Sequence, residues 1–258
     1  SPTRLRSLVG LATGEPLSVR AWRDAGMRRW VRDTVAREGI AAGVVYSSAV
    51  AQYADELGGR PLIVDFVDVD SAKWSAYAER HAWPLRWLYR REGRTLLAHE
   101  RRVASASRRS FFCTTAETAL FLTLAHEAAP VCEAMGNGVD TERFAPDPTL
   151  PRPFGNGQQA IVFTGAMDYW PNVDAVGWFV REMLPALRRT RPDLHFWIVG
   201  RSPSSAVQAL AGGHVHVTGT VPDVRPYQQH AAVAVAPLRL ARGIQNKVLE
   251  AMAMGQPV

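Results

Sequence analysis

The sequence predicts an α/β fold made of two Rossmann-like, doubly wound domains. Short apolar strands alternate with helix-forming segments in both halves of the chain, and a proline-rich segment separates the halves. Glycine or polar residues follow several strands at their carboxyl ends. Open parallel sheets bind ligands at that edge, so we expect an active site in a central cleft that the two domains face.

The proline-rich segment predicts the domain boundary. It runs from Ala145 to Gly157 with four prolines, shortly after an Asn-Gly turn at Asn137 and Gly138. We therefore predict an N-terminal domain over residues 1–144, a linker over 145–157 and a C-terminal domain over 158–258. The chain begins Ser-Pro-Thr and ends within a motif, so we expect a fragment in which both domains are incomplete.

Composition narrows the class of protein. The 258 residues are 47% hydrophobic, with no apolar run long enough to span a membrane. The net charge is +6, and arginines concentrate between Arg80 and Arg109. They form either a solvated helix face or a surface for anionic lipid headgroups at the inner face of the cytoplasmic membrane. No helix-turn-helix or RNA-binding aromatic motif occurs, which argues against nucleic acid.

The cysteines and histidines predict no metal site. Cys113 and Cys132 form neither a CxxC pair nor a Cys/His cluster, which is typical of buried thiols in a reducing cytoplasm. The histidines of the C-terminal half show no metal-ligand spacing, and we interpret them as surface or hydrogen-bonded residues.

A strand from Leu62 is followed by three carboxylates in the N-terminal half. Like charges and desolvation oppose burying Asp65, Asp68 and Asp70 together, so we expect them to be exposed in a cleft. Asp68 and Asp70 are candidate acceptor-side residues, with Asp68 as a general base or charge stabiliser. The alternatives are a divalent-metal site and helix capping by Asp70 or Ser71.

A long helical region is predicted from Ala76 to Ser107. It carries Trp83, Trp87 and Tyr89 beside the arginines. These rings either bind a lipid or a sugar, or belong to the core.

Two glycine-terminated strands begin the C-terminal half. Gly165 directly follows a strand, which allows a ligand to approach the backbone closely. Pro171 and Asn172 then open a helix whose N-terminus suits a phosphate. A second strand ends at Gly200, and Arg201 follows it as a candidate phosphate-binding cation.

The most informative segment lies at residues 237–258. A helix is predicted to begin near Asn246 or Lys247, and its first amides, its dipole and the Lys247 cation suit a diphosphate. Glu250 would accept hydrogen bonds from neutral sugar hydroxyls beyond that diphosphate. The alternative is an ordinary βα unit in which Glu250 is a solvated or capping carboxylate.

A family resemblance rests on this segment. KVLEAMAMGQPV, residues 247–258, resembles the LEAMA-x-G-x-PV signature of family 4 glycosyltransferases, which have the two-domain GT-B fold. That family has two glutamates eight residues apart; Glu250 matches the second, and Arg242 stands at the first. The variant RGIQNKVLEAM is similar to sugar transferases of bacterial exopolysaccharide clusters that accompany exosortase and PEP-CTERM proteins.

The resemblance implies further site residues. Many relatives hold the donor diphosphate with an arginine and a lysine in the first glycine loop, where this chain has Tyr169 and Asn172. The cation is then expected from Arg201, Arg242 or Lys247. Asp223 and Val224 match the loop that pairs with the nucleotide base, although Asp223 also suits a helix cap. The remaining candidates for substrate binding are Gly243, Gln245 and Asn246.

The implied activity is transfer of a hexose-like sugar from a nucleotide-diphosphate donor to a glycan or polyprenyl-linked acceptor. The anomeric configuration would be retained, without a catalytic metal or a cofactor other than the donor substrate. Lys247 would neutralise the leaving diphosphate. Two alternatives are a nucleotide-sugar epimerase, although no G-x-G-x-x-G turn occurs, and a non-catalytic GT-B-like partner protein, which Arg242 allows.

Overall fold

The computed structural model describes residues 9–239 and 243–258. These residues form two compact units. The first extends to Gly136 and includes Gly243 and Ile244, and the second comprises the described residues from Asn137 to 239 and from Gln245 to Val258. Each unit has a parallel sheet with helices packed against it. The predicted α/β class is confirmed.

The first unit contains strands in the spatial order β1-β2-β3-β4, all parallel. The strands are β1 (Gly43–Tyr46), β2 (Leu62–Val67), β3 (Arg109–Phe112) and β4 (Cys132–Ala134). The helices are α1 (Gly10–Thr13), α2 (Leu17–Ala21), α3 (Ala25–Arg37), α4 (Asp70–Ala78), α5 (Leu85–Ala106) and α6 (Thr115–Leu124), with 3₁₀ helices at Ser48–Leu57 and His126–Ala128. Val64, Phe66, Phe112 and Phe121 are at most 1% exposed and form the centre of its core.

The predicted long helical region is divided in the structure. It contains the end of α4 and the whole of α5, with a break over residues 79–84. Pro84 is the N-cap of α5; a proline has no N–H and clashes with the preceding turn, so a single helix cannot pass through it.

Helix α5 orders its neighbours through buried carboxylates. Glu92 accepts hydrogen bonds from the first amides of α2, those of Leu17 (2.7 Å) and Ser18 (2.8 Å). Glu100 likewise accepts from Ser71, near the start of α4, through the amide (3.1 Å) and the hydroxyl (2.5 Å). Burial raises the pKa of Glu100 to about 8. Each of the two carboxyl groups therefore accepts from the first turn of a helix other than its own.

The second unit contains strands in the order β7-β6-β5-β8, also parallel. The strands are β5 (Gln159–Thr164), β6 (Leu194–Val199), β7 (Val215–Gly219) and β8 (Val233–Ala234). The helices are α7 (Trp170–Trp178), α8 (Leu184–Thr190), α9 (Ser205–Gln208), α10 (Arg225–His230) and α11 (Asn246–Ala253), with a π-helical turn at Phe179–Met183 between α7 and α8.

Strand β5 lies at the point where the strand order reverses. The chain passes from β5 through β6 to β7 on one side and then places β8 on the other side of β5. Helices on both faces of a parallel sheet leave a crevice at such a reversal, outside the carboxyl ends of the strands. The binding edge of the second unit is therefore expected at the ends of β5 and β8.

Alternate residues of β5 face different helices. Ile161 and Phe163 pack in a cluster with Ala175 and Val176 of α7, whereas Val162 packs in another cluster with residues of α10 and α11. Because side chains alternate across a strand, α7 and α11 lie on opposite faces of the sheet. Both helices begin at the carboxyl edge of the strands.

Glycines beyond the strands allow a close backbone approach. The amide of Gly165 donates to Val199 O (3.0 Å), and that of Gly200 donates to Gly219 O (3.2 Å). A Cβ at Gly200 would lie 1.7 Å from Gly165 O, at a backbone φ of +150°. Gly200 is thus required by the packing of β5 against β6.

We predict that Gly200→Ala lowers the free energy of unfolding by about 3 kcal/mol, because the added methyl group overpacks a backbone contact. Urea unfolding of the protein measures this effect. Gly138→Ala is the matched control, since a Cβ there meets nothing within 4 Å, and its effect should stay within about 0.5 kcal/mol. Equal stability of the two variants would contradict the packing role.

Candidate functional site

The crevice between β5 and β8 contains the strongest candidate site of the second unit. It is lined by Val162 and Thr164 of β5, by residues that include Ala234 of β8, and by Lys247 and Val248 of α11. Its volume is about 10 Å³, which is room for a single water-sized group. A larger ligand must therefore lie above it, against the loops and helix N-termini at this edge.

Lys247 projects from the first turn of α11 into this edge. Its Nζ donates a hydrogen bond to Asn172 Oδ1 (2.9 Å) and lies 4.0 Å from the centroid of the Phe163 ring. A Cβ at Gly165 would come within 3.3 Å of the same Nζ. The ammonium is thus held by an amide oxygen and an aromatic face, and Gly165 leaves the space beside it open.

Burial lowers the pKa of Lys247 to about 8, and the nearby Glu250 carboxylate opposes this effect. An ammonium is desolvated here without a direct ion pair to compensate it. A bound anion would supply that compensation and would raise the pKa.

Asn172 connects the two helix N-termini. Its side chain is 6% exposed, donates to Ala166 O (2.9 Å) and accepts from Lys247. Asn172 lies in the first turn of α7, whereas Lys247 lies in the first turn of α11. The N-terminal ends of both helices, with their positive dipole, and the Lys247 cation therefore lie at one edge, a concentration of positive charge that suits a phosphate or diphosphate.

Glu250 lies one turn beyond Lys247. The first turn of α11 contains no acidic residue, and Glu250 belongs to the second turn. Gln228 Nε2 of α10 donates to Glu250 Oε2 (3.4 Å), and Gln228 is fully buried. The Oε1 atom of Gln228 is buried without a hydrogen-bond partner in the described part of the chain. Glu250 is thus in contact with α10 and remains partly exposed.

Asp223 and Val224 lie at the start of α10. Asp223 accepts hydrogen bonds from the Arg225 amide (2.9 Å) and guanidinium (2.9 Å to Oδ2), and this pairing lowers its pKa. Val224 is the N-cap residue and packs against the core. Asp223 thus accepts from the first amide of α10, as the capping interpretation expects, and its ion pair with Arg225 fixes the orientation of the carboxylate. The base-binding role of the loop stays a prediction.

The other candidates of this half are distributed around the same edge. Arg201 follows β6 with an exposed side chain, and its carbonyl accepts from the amide of Met167 (2.8 Å). Gln245 is the N-cap residue of α11, and Asn246 Oδ1 accepts from Asn137 (3.0 Å). Arg242 lies outside the described residues.

Gly243 belongs to the first unit and has a φ of +68°. A Cβ at this position would lie 2.1 Å from Asp68 Oδ1 and 2.6 Å from Cys113 Sγ. Only glycine therefore fits this position in the described conformation.

The carboxylates at the end of β2 are partly exposed, and none of Asp65, Asp68 and Asp70 is buried. Their place in a cleft stays a prediction. Lys73 lies 3.0 Å from Asp68 and 3.0 Å from Asp70, whose side chains are 15% and 31% exposed. The two carboxylates raise the pKa of Lys73 against the effect of its burial. An opposite charge one helical turn away allows partial burial, an arrangement that the charge pattern of the strand end alone did not predict.

The start of α4 is also not capped by Asp70 or Ser71. The amide of the N-cap residue Val69 donates to Glu117 (2.8 Å) of α6, and that of Ser71 in the first turn donates to Glu100 of α5. Sequence analysis missed both carboxylates, because each contributes from a helix distant in the sequence. It also missed Phe163 beneath Lys247 and Gln228 beside Glu250, for the same reason.

Three of the four histidines of the second unit form side-chain hydrogen bonds, whereas His214 Nδ1 is buried without a partner among the described residues. His195 Nδ1 lies 2.8 Å from His216 Nε2, and burial lowers the pKa of both. His230 lies 2.8 Å from Leu150 O. Within residues 9–239 and 243–258, no group of three or more His, Cys, Asp or Glu side chains has a geometry that would hold a metal ion.

A comparison with known proteins finds a family model that matches within the second half of the chain. Residues 158–258 match the family model described as "Glycosyl transferases group 1". The match covers β5 to α11, the elements that form the Lys247 edge. No curated protein matches the chain by sequence.

Solved structures of similar fold cover both units. Sucrose-phosphate synthase from Thermosynechococcus elongatus has a TM-score of 0.65 and 15% identity, over 90% of this chain and 58% of its own. HepE from Anabaena, in complex with UDP and glucose, has a TM-score of 0.64 and 16% identity, over 89% and 61%. A UDP-forming trehalose-phosphate synthase from Burkholderia xenovorans has a TM-score of 0.59 and 10% identity, over 97% and 68%.

These likenesses establish the fold. The predicted GT-B class is confirmed, since the chain has two α/β units with parallel sheets and its structural neighbours are GT-B glycosyltransferases. The family match and the neighbours together support the predicted glycosyltransferase. The chain spans about three-fifths of the length of the first two solved structures, at 58% and 61%.

We predict that the two lysines of the chain titrate far apart. Lys73 and Lys247 are the only lysines in the sequence, so protein labelled with ¹³C-lysine gives two side-chain signals by NMR. Lys247 should lose its proton near pH 8, whereas Lys73 should keep its proton beyond the ordinary lysine range. Two signals that both titrate in the ordinary range would contradict the described environment of Lys247.

We also predict that the two polar neighbours of Lys247 change its pKa in opposite directions. Asn172→Asp places a carboxylate where the amide oxygen lies 2.9 Å from Nζ, and should raise the pKa of Lys247 by at least one unit. Glu250→Gln removes a favourable charge and should lower it. The same NMR titration measures the pKa of Lys247 in both variants. An unchanged pKa in the two variants would show that Lys247 does not lie beside Asn172 and Glu250.

Proposed function

We propose that the whole protein is a cytoplasmic, retaining glycosyltransferase of bacterial exopolysaccharide biosynthesis. It moves a hexose-like sugar from a nucleotide-diphosphate donor to a glycan or polyprenyl-linked acceptor at the inner face of the cytoplasmic membrane. The observation that carries the proposal is the desolvated Lys247 ammonium, held by Asn172 where the N-termini of α7 and α11 meet.

The reaction requires the stabilisation of a leaving diphosphate. As the bond to the anomeric carbon breaks, negative charge accumulates on the diphosphate. In this proposal Lys247 and the positive dipole ends of α7 and α11 stabilise that charge, and the hydrogen bond of Lys247 to Asn172 holds the ammonium in place, so little reorganisation is needed. This role requires no cofactor beyond the donor and no metal.

Other residues of the edge recognise the neutral parts of the donor. Glu250, one turn further along α11 and held by Gln228, accepts hydrogen bonds from sugar or ribose hydroxyls. The loop at Asp223 and Val224 presents backbone groups to the nucleotide base. Arg201 and Asn246 extend the polar surface around the diphosphate.

The neighbours suggest a donor and a stereochemical outcome to test first. HepE is described in complex with UDP, glucose and UDP-glucose, and a trehalose-6-phosphate synthase is described in work on glycosyl transfer with retention. These descriptions favour a UDP-sugar and retention for this chain. The exopolysaccharide role is supported by the resemblance of residues 242–252 to the sugar transferases of such clusters.

The acceptor side is proposed to include Asp68 and Asp70. Lys73 fixes the direction of both carboxylates at the carboxyl end of β2, the edge at which parallel sheets bind ligands. In this arrangement Asp68 orients or deprotonates an acceptor hydroxyl, and Asp70 assists.

A non-catalytic GT-B-like protein is the second candidate. The observation that favours it is Arg242, which stands where the resembled family has the first of its two glutamates. Such a protein would bind the nucleotide sugar without transfer. An epimerase lacks support, because no G-x-G-x-x-G turn occurs in the sequence.

We predict that one nucleoside diphosphate among UDP, GDP and ADP stabilises the whole protein, and that this stabilisation disappears in Lys247→Ala and Glu250→Ala. Ligand that binds only the folded state raises the midpoint of thermal unfolding, which thermal-shift measurements report. Arg189→Ala is the matched control, because it removes an exposed cation from α8, away from this edge. No shift with any diphosphate would contradict a donor site.

Turnover separates the two candidates. Lys247→Ala should reduce the rate of sugar transfer about 100-fold to 1,000-fold with an unchanged unfolding midpoint, the loss typical of one removed transition-state donor. Lys247→Arg should keep part of the rate of sugar transfer, because it keeps a positive charge at this position. Near-normal turnover in Lys247→Ala would contradict the diphosphate role, and nucleotide binding without any turnover would favour the non-catalytic protein.

A further inference from the structure

A stripe of aromatic and cationic side chains runs along one face at the start of α5. Its members are Trp83, Arg86, Trp87, Arg90 and Arg94. Arg86, Arg90 and Arg94 recur every four residues within α5, Trp87 lies three residues before Arg90, and Trp83 directly precedes the N-cap Pro84. The indole of Trp83 is 82% exposed and that of Trp87 is 55% exposed. Large apolar rings this exposed, side by side, mark an interaction surface rather than core packing.

The aromatic stripe adjoins an apolar groove. One shallow depression of about 320 Å³ contains Trp83 and Trp87 between Arg86, Arg90 and Arg94. A second depression of about 640 Å³ begins at Arg90 and Arg94. Its lining includes the leucines Leu97, Leu120 and Leu124. All of these residues belong to the first unit. The cations therefore lie between two apolar areas.

The stripe carries excess positive charge. Glu79 accepts from Arg90 at 2.9 Å and lies 3.5 Å from Arg86. Arg80 and Arg94 are exposed nearby, with no ion pair in the described part of the chain. Glu79 therefore neutralises only part of the positive charge of these arginines.

We propose that this stripe docks on an anionic phospholipid bilayer. The two indoles would lie at the boundary between headgroups and acyl chains, and the arginines would contact lipid phosphates. A second copy of the chain would present the same positive charge and be repelled, and a nucleic acid would leave the leucine groove uncovered. No described helix is long and apolar enough to cross a bilayer, so this contact is peripheral.

This surface deepens the proposed function, because it is where a polyprenyl-linked acceptor would be met. Its test is independent of glycosyl transfer. Binding to vesicles is measured without donor or acceptor, so a failure of docking and a failure of catalysis are seen in different experiments.

The experiment is co-sedimentation of the whole protein with phosphatidylcholine vesicles that contain about 30% phosphatidylglycerol, against vesicles of phosphatidylcholine alone. We expect at least about tenfold stronger binding to the anionic vesicles, weakened when salt is raised from about 0.1 M to about 0.5 M. Trp83→Ser with Trp87→Ser should weaken binding about tenfold, and so should Arg86→Ala with Arg94→Ala.

The matched control is Arg181→Ala with Arg189→Ala, which removes two exposed arginines from the second unit. It should keep full vesicle binding. The mutated side chains are exposed, and thermal unfolding confirms that each variant is folded.

Four results would overturn the proposal. Loss of vesicle binding in the arginine variant but not in the tryptophan variant would indicate a surface that binds any polyanion. Equal loss in the control would indicate an effect of net charge. Equal binding to both vesicle types would exclude recognition of anionic lipid. Concentration-dependent self-association abolished by the tryptophan changes, without vesicle binding, would assign the stripe to a second copy.

Discussion

The ammonium group of Lys247 is buried beside β5, and this burial decides which ligands suit the carboxyl edge of the sheet in the second unit. Desolvation opposes the charged form, and Asn172 Oδ1, the Phe163 ring and the Glu250 carboxylate oppose that penalty only in part. These groups come from α7, β5 and α11. They meet because residues of β5 alternate between the two faces of the sheet and the strand order reverses beside it. The position of the cation is thus a consequence of sheet topology.

The first unit uses buried carboxylates for a comparable purpose. Glu100 and Glu117 accept from amides at the start of α4 and so hold the segment that carries Asp68. The preceding residue, Val67, has a φ of +68°, which is rare for a β-branched residue, and it lies at a register shift between β2 and β3. The amide of Asp68 donates to Phe66 O (2.9 Å) across this bend. A strained backbone held by several distant partners is typical of a ligand-binding edge, which supports an acceptor-side role for this segment.

Most of the architecture could be predicted from local patterns. Strand and helix alternation predicted the α/β class, the glycines after β5 and β6 predicted the strand ends, and Asn246 or Lys247 was the correct start of α11. The prediction of one long helical region overlooked the break at Pro84. The sequence also gave no sign that Lys73 pairs with Asp68 and Asp70 and partly covers them. In both places one residue, Pro84 or Lys73, determines the local structure, and the pattern of its neighbours does not show this.

The sequence by itself determined which chemical groups this protein has at its strand ends: glycines, a lysine, carboxylates and amides in βα loops. It also determined the resemblance to glycosyltransferases through residues 247–258. Only the tertiary structure decided which groups meet. Asn172 and Lys247 are 75 residues apart in the chain and share a hydrogen bond, and Gln228 reaches Glu250 from another helix. The physical reason is that periodicity and turn preferences act over a few residues, whereas the order of strands in a sheet sets which of their ends are neighbours.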